Sequence, residues 1–257
     1  MMKHLFSAAG RDALAALMRR RPLLAFDFDG TLAPIVTRPR DACIPRGVAL
    51  QLARLARRLP VAIVTGRAVA DLRGRLGFEP HFVAGSHGAE DAADAAAAQA
   101  LARRLDPLRR RIEAQRSAID AAGVFVEDKG ASMALHYRLA PDRDRARAAI
   151  DALQLTEDPG LHIFSGKMVE NVTAAGAPDK AEAVRSLVAR GGCDGAFFAG
   201  DDVNDEPVFV AAPPHWLTVR IGRDDPHSRA RFFLDSPAEM AVTLQTMIDE
   251  LNGTQRT

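Results

Sequence analysis

Apolar positions along this chain follow two different periods. Uninterrupted apolar runs, "PLLAFDF" at 22–28, "PVAIVTGR" at 60–67 and "HFVAGSHG" at 81–88, predict strands buried on both faces. Between the first two, "GVALQLARLARRL" at 47–59 places Leu52, Leu55, Ala56 and Leu59 at helical spacing. "AVADLRGRLG" at 68–77 predicts a shorter helix ended by Gly77, and near the N-terminus Leu14, Leu17 and Met18 share one helical face. Strand and helix alternating in this way predict a parallel sheet covered by helices.

The rhythm then changes. Residues 91–118 are rich in Ala and Arg with no strand pattern, and predict helix. "GVFVEDKGASMALHYR" predicts an antiparallel hairpin around Asp128-Lys129-Gly130, 141–153 a helix, and "LHIFSGKMVENVT" a second hairpin turning at Ser165-Gly166. From 178 onward the first rhythm returns, with a helix at 179–190, the strand "GAFFAG", a helix around 206–210 and the strand "WLTVRIG". The expected fold is therefore α/β: a Rossmann-like doubly wound parallel-sheet core, 1–103 and 176–257, with a smaller α+β domain inserted at 104–175.

Composition narrows the function classes. Across 257 residues the formal net charge is +1, which gives no reason to expect nucleic acid or a membrane surface as partner. Cys43 and Cys193 stand far apart with no ligand-spaced partner, so neither a disulfide framework nor a cysteine zinc site is expected. The first residues lack a continuous apolar stretch, Arg11 and Asp12 interrupting it, and no run reaches membrane-spanning length. These features lead us to expect a soluble, cytoplasmic protein.

The candidate chemistry lies where apolar runs end. The strand at 22–28 carries two carboxylates, Asp27 and Asp29, followed by Gly30. "GDDVNDE" puts Asp201, Asp202 and Asp205 directly after another strand, and Thr65 ends a third. In open parallel sheets ligands sit beyond the carboxyl ends of the strands, so these residues are expected to converge on one rim. Converging carboxylates repel one another unless a cation lies between them, and Mg²⁺ prefers such oxygen ligands together with a substrate phosphate. Of the pair at 27 and 29, one carboxylate can attack phosphorus and the other can move the leaving-group proton. A phosphoryl group also needs its oxygens held. Lys180, in the first turn of a helix, and the Thr65-Gly66 segment, at the opening of the next one, offer an ammonium, a hydroxyl and backbone N–H groups. Each of these features alone has an ordinary structural explanation; their joint occurrence predicts a phosphoryl-transfer site.

In "DFDGT", "TGR", Lys180 ahead of a helix and "GDDVNDE", in that order, the chain resembles the haloacid dehalogenase superfamily of phosphatases. The resemblance implies that Asp27 is the nucleophile, forming an aspartyl-phosphate, and that Asp29 is the general acid/base. It implies that Thr65, Gly66 and Lys180 hold the phosphoryl group. Mg²⁺ would be bound by Asp27, the backbone carbonyl of Asp29 and Asp201, with Asp202 and Asp205 supporting or completing the site. An insert between the second and third motifs corresponds to that superfamily's C2-type cap. "VAGSHGAE", "VEDKGASMALHYR", "GKMVEN" and "GDDVNDEPVF" narrow the similarity to its trehalose-6-phosphate phosphatase family, over roughly 22–210. By that likeness Glu127, Lys129 and Glu170 would grip the sugar hydroxyls, and the substrate would be trehalose 6-phosphate. His87 and His136 either line the cleft or make structural hydrogen bonds, and neither is assigned a catalytic role. The alternatives are a phosphatase for another sugar phosphate, a phosphomutase, and a non-catalytic sugar-phosphate sensor.

Overall fold

The computed structural model describes residues 2–223 and 225–253. The chain divides into two compact units, one formed by its two ends, up to Gly88 and from Asp179 onward, and the other by Ala89–Pro178.

In the first unit, β1 (Lys3–His4), α1 (Ala8–Met18), β2 (Pro22–Phe26), α2 (Arg46–Ala56), β3 (Val61–Val64) and β4 (Phe82–Gly85) precede the insertion. After it come α7 (Lys180–Arg190), β10 (Gly195–Gly200), α8 (Glu206–Ala211), β11 (Leu217–Ile221), β12 (Phe232–Leu234) and α9 (Ala238–Gly253). The strands pair in the order β1-β12-β11-β10-β2-β3-β4, every pair parallel. Because successive side chains on a strand point to opposite faces, β2 feeds two cores. Leu24 and Phe26 join Phe197 and the apolar stripes of α1, α2 and α9, while Leu23 and Ala25 join Phe198 and residues of α7 and α8. Each fully buried Leu or Phe contributes about 1.5–3 kcal/mol, so a one-residue slip of β2 would forfeit packing on both sides. The chain leaves β2 toward β3 on one side and later returns along β10 on the other. The neighbouring ends of β2 and β10 are thus the switch point of this sheet.

The second unit holds β5 (Glu90–Asp91), α3 (Ala95–Arg104), α4 (Asp106–Ala114), α5 (Arg116–Ala121), β6 (Phe125–Asp128), β7 (Ser132–His136), α6 (Arg143–Asp151), β8 (Leu161–Gly166) and β9 (Val169–Ala174). Its antiparallel sheet runs β6-β7-β9-β8. One face, with Met133, Leu135, Val172 and Ala174, packs against Leu108 and Ile112 of α4, Ile119 of α5 and Ile150 of α6.

Four expectations need correction. The insertion starts at Ala89, not 104, because Leu101 of α3 packs on this unit's core and Arg104 donates to the Ala175 carbonyl at 2.7 Å. The helix expected over 68–77 is only a 3₁₀ turn, Val69–Leu72, since Arg73 leaves helical geometry and Gly74 takes a φ of +78°. The second hairpin turns at Lys167-Met168, with Gly166 paired to Val169 and Met168 at a φ of 63°. No element is expected beyond the strand at 216–222, yet Met240, Leu244, Met247, Ile248 and Leu251 repeat at helical spacing and are buried in α9. Among the described residues no helix is long and apolar enough to cross a membrane.

Candidate active site

Period-two alternation decides where the first carboxylate points. Asp27 continues the face of Leu23 and Ala25, the one packed by α7, and it is anchored as its N–H donates to Ala199 of β10 at 2.9 Å. The N-terminus of α7 is fixed by a reciprocal cap. Asp179 accepts from the Glu182 N–H at 2.8 Å, and Glu182 accepts from the Asp179 N–H at 3.1 Å. Lys180, the first helical residue, is thereby delivered to the Asp27 face. Its Nζ donates to Asp27 Oδ1 at 2.8 Å and to Asp205 Oδ1 at 2.7 Å, all three side chains being buried.

Asp201 joins this group: carboxylate oxygens of Asp27, Asp201 and Asp205 lie within 4.8 Å of one another. Gly30 permits that approach. It takes a φ of +77°, and a Cβ there would stand 2.3 Å from Asp201 Oδ2. Asp205 is fully buried with both oxygens occupied, Oδ1 by Lys180 and Oδ2 by the Asp202 N–H at 3.1 Å. It supports Lys180 and the Asp202 turn. A buried oxygen of Asp202, Oδ1, has no hydrogen-bond partner among the described residues.

One ammonium, bound by Asp27 and Asp205, stands against a cluster of three carboxylates. Burial pushes the Asp27 carboxyl well above its ordinary range, Lys180 opposes this, and Asp205 and Asp201 add to the rise. Burial by itself would lower the pKa of the Lys180 ammonium, but the charges of Asp205 and Asp27 outweigh it and hold the value above normal. The excess negative charge, the all-oxygen donor set and the unpartnered Asp202 oxygen fit a hard divalent cation.

Asp29 turns elsewhere. Its carboxylate accepts two bonds from Arg67, Nε to Oδ2 at 2.6 Å and Nη2 to Oδ1 at 2.7 Å. Arg67, the last residue of "TGR", carries no role from the sequence alone; its signal there is a basic residue two positions after the Thr at the end of β3, the strand beside β2. Thr65 is buried at the end of β3, its Oγ1 accepting from the Arg67 N–H at 3.2 Å, so its own hydroxyl proton remains to be donated. No helix opens at Gly66, as the 3₁₀ turn starts only at Val69, so the helix N-terminus expected there is absent. Gly66 instead makes room for the His87 ring, which a Cβ would approach to 2.4 Å.

In the second unit, pairing puts Glu127, Ala134 and Asn171 side by side on the sheet face opposite the helices. Glu127 Oε2 lies 3.0 Å from His136 Nε2 and 3.5 Å from Lys129 Nζ. The hydrogen bond from His136 lowers the Glu127 pKa, burial opposes this, and Lys129 adds to the lowering. Glu170 does not join them. It is paired with Leu135 and Ser165, on the helix-covered side, where its Oε2 accepts from Ser165 Oγ at 2.8 Å. Asn171, 4 % exposed, is on that face instead, across Ala134 from Glu127, and its Nδ2 has no partner among the described residues.

A family model described as trehalose-phosphatase matches residues 25–238, which takes in both units and all of these residues. The chain belongs to the trehalose-phosphatase family. A trehalose-phosphate phosphatase of Mycobacterium bovis is 33% identical over 262 residues, covering 90% of this chain, and the chain spans 63% of that relative's length. Another, from Mycobacterium marinum, is 34% identical over 94% of this chain, which spans 66% of that relative. Among solved structures, a trehalose-6-phosphate phosphatase related protein superposes with a TM-score of 0.72 at 26% identity, covering 91% of this chain and all of its own. The C-terminal domain of the Candida albicans trehalose-6-phosphate phosphatase shares the fold, with a TM-score of 0.78 at 20% identity, over 97% of this chain and 98% of that one. The fold is also similar to that of BT1666 from Bacteroides thetaiotaomicron, a phosphatase of the haloalkanoate (HAD) enzyme superfamily, with a TM-score of 0.60 at 17% identity over 89% of this chain and 95% of that one.

Proposed function

We propose that this chain is a Mg²⁺-dependent phosphatase that hydrolyses trehalose 6-phosphate to trehalose and phosphate. The observation that carries the reading is Lys180 bound at once to Asp27 and Asp205, with Asp201 beside them, at the switch point of a sheet in a trehalose-phosphatase family member. Asp27, the Asp29 backbone carbonyl and Asp201 would hold the metal, with Asp202 able to complete the set. When bound, the cation supplies charge neutralisation for the phosphoryl oxygens.

The steps belong to side chains. An Asp27 carboxylate oxygen attacks phosphorus in line, forming an aspartyl-phosphate as the bond from phosphorus to the sugar oxygen breaks, and Asp29 gives its proton to that departing oxygen. Water then attacks the same phosphorus, surrenders a proton to Asp29, and releases Asp27 and inorganic phosphate. Lys180 and the Thr65 hydroxyl, with the Gly66 backbone, hold the phosphoryl oxygens through the cycle.

Phosphate release measured on trehalose 6-phosphate, glucose 6-phosphate and sucrose 6-phosphate tests this directly. Release from the trehalose ester alone is expected, abolished by EDTA and restored by Mg²⁺. Preference for another ester would replace the substrate, and release undiminished by EDTA would remove the metal.

Sugar recognition falls to the inserted unit, through Glu127, Lys129 and Asn171. Carboxylate, ammonium and amide groups on one sheet face suit vicinal hydroxyls, which both donate and accept. Glu127→Ala and Asn171→Ala should each lower kcat/KM for trehalose 6-phosphate by about 10–100-fold, the scale of one lost polar contact. Turnover of p-nitrophenyl phosphate should stay within about twofold, as should the ratio of the two substrates for Glu170→Ala. Equal losses on both substrates would take Glu127 and Asn171 out of sugar recognition.

A further inference from the structure

We propose that Arg67, itself held by Asp71, is a positioning residue that sets the Asp29 carboxylate for proton transfer. The inference rests on the assignment of Asp29 as the acid/base. A carboxylate at the end of a short side chain rotates freely in water, and proton transfer to a leaving group needs it within hydrogen-bond geometry of that oxygen. Here both of its oxygens are engaged by the planar fork of one guanidinium, at 2.6 and 2.7 Å, which fixes the plane of the carboxylate as well as its distance. Each carboxylate oxygen retains a second lone pair for the proton it exchanges.

Arg67 is in turn over-determined. Its Nη1 donates to Asp71 Oδ2 at 2.5 Å and its Nη2 also to the Pro39 carbonyl at 2.8 Å. The guanidinium lies over the Phe28 ring, 5.2 Å from its centre. Asp71 is braced from the far side, its Oδ1 accepting from Arg75 Nη2 at 2.7 Å. Arg75 closes the ladder by donating to the carbonyls of Arg40 and Ala42. An alternating row, Asp29, Arg67, Asp71, Arg75, thus ties the acid/base to the 3₁₀ turn Val69–Leu72 and to the loop after the nucleophile, within one unit.

The test uses the leaving group. A sugar alkoxide needs a proton to depart, whereas p-nitrophenolate does not, and the later attack of water draws on Asp29 with both esters alike. Arg67→Met, Arg67→Lys and Asp71→Asn are therefore compared with wild type and Asp29→Asn at saturating Mg²⁺ by single-turnover rapid quench, which reads alcohol release, the first step, separately from phosphate release, with folding checked by circular dichroism. The expected result is a loss in the rate of alcohol release from trehalose 6-phosphate of about 10²-fold for Arg67→Met and about 10-fold for Asp71→Asn, with a much smaller loss in p-nitrophenol release, while the following release of phosphate slows on both esters. Arg67→Lys keeps the charge but not the fork, and should remain close to Arg67→Met. Asp29→Asn should show the same selectivity in the first step. Equal losses of alcohol release on both esters, or rescue by lysine, would overturn the positioning role while an Asp29→Asn selective in that step kept the acid/base. A non-selective Asp29→Asn would overturn both. Asp71→Asn decides the matter if the Arg67 variants do not fold.

Discussion

Asp27→Asn is expected to reduce phosphate release by at least about 10⁴-fold, the scale on which loss of a covalent nucleophile is measured, and to abolish acid-stable phosphoenzyme trapped by rapid quenching. The same substitution should raise the thermal midpoint of the metal-free protein. The sign follows from burial. A carboxyl whose folded-state pKa lies above its unfolded value weakens the fold once pH exceeds the unfolded value, because ionising it in place is harder than ionising it in water. Near neutral pH the Asp27 carboxylate is therefore a burden that an amide would lift, while Lys180 keeps Asp205 as its partner at 2.7 Å. Mg²⁺ should reverse the order, stabilising wild type more than the variant by mass action. Differential scanning calorimetry with and without Mg²⁺ reads both effects. A variant that is destabilised without metal would mean that the three carboxylates are not in net repulsion, and normal turnover would remove Asp27 as nucleophile.

Lys180→Met is expected to be the most damaging single change to stability. It removes the ammonium that joins Asp27 and Asp205 and leaves two buried carboxylates facing Asp201. Breaking a buried ion pair from one side costs about 3–5 kcal/mol, to be read as a fall in urea midpoint at unchanged slope. Mg²⁺ should restore a larger share of stability in this variant than it adds to wild type, since the cation offsets the same charge. Phosphate release should fall by about 10²–10³-fold, as when one preorganised donor to a developing charge is lost. A loss below about 1 kcal/mol would show that the carboxylates simply take up protons when the lysine is gone.

Much of the site was legible because its parts are local. Asp27 and Asp29 end an apolar run, Asp201 follows another, and Lys180 opens a helix whose cap, Asp179 with Glu182, is written in the sequence. In a parallel sheet such ends share one rim whatever the loops do. The alternation in β2 even told which face Asp27 would take, once α7 was known to cover it.

Face and partner were harder to read. Glu170 shares parity with Val172, and that apolar neighbour marks it for the covered side of its sheet; a resemblance groups it with Glu127 instead, and pairing puts Asn171 on the face of Glu127. With a period of two, one residue decides the face, so a motif matched one position away selects the wrong side. Short polar segments failed for a different reason. The stretch 68–77 has helical spacing and its Arg67–Asp71 pair is local, but Arg75 donates to the carbonyls of Arg40 and Ala42, contacts that no local pattern encodes.

The sequence by itself determined the strands, the capped helix and the carboxylates at their ends, since burial period and capping act within a few residues. Only the tertiary structure decided that Lys180 bridges Asp27 and Asp205, that Arg67 holds Asp29 and that Asn171 shares a sheet face with Glu127. Those pairings join residues tens to more than a hundred positions apart, and their geometry exists only after the sheets have set their registers.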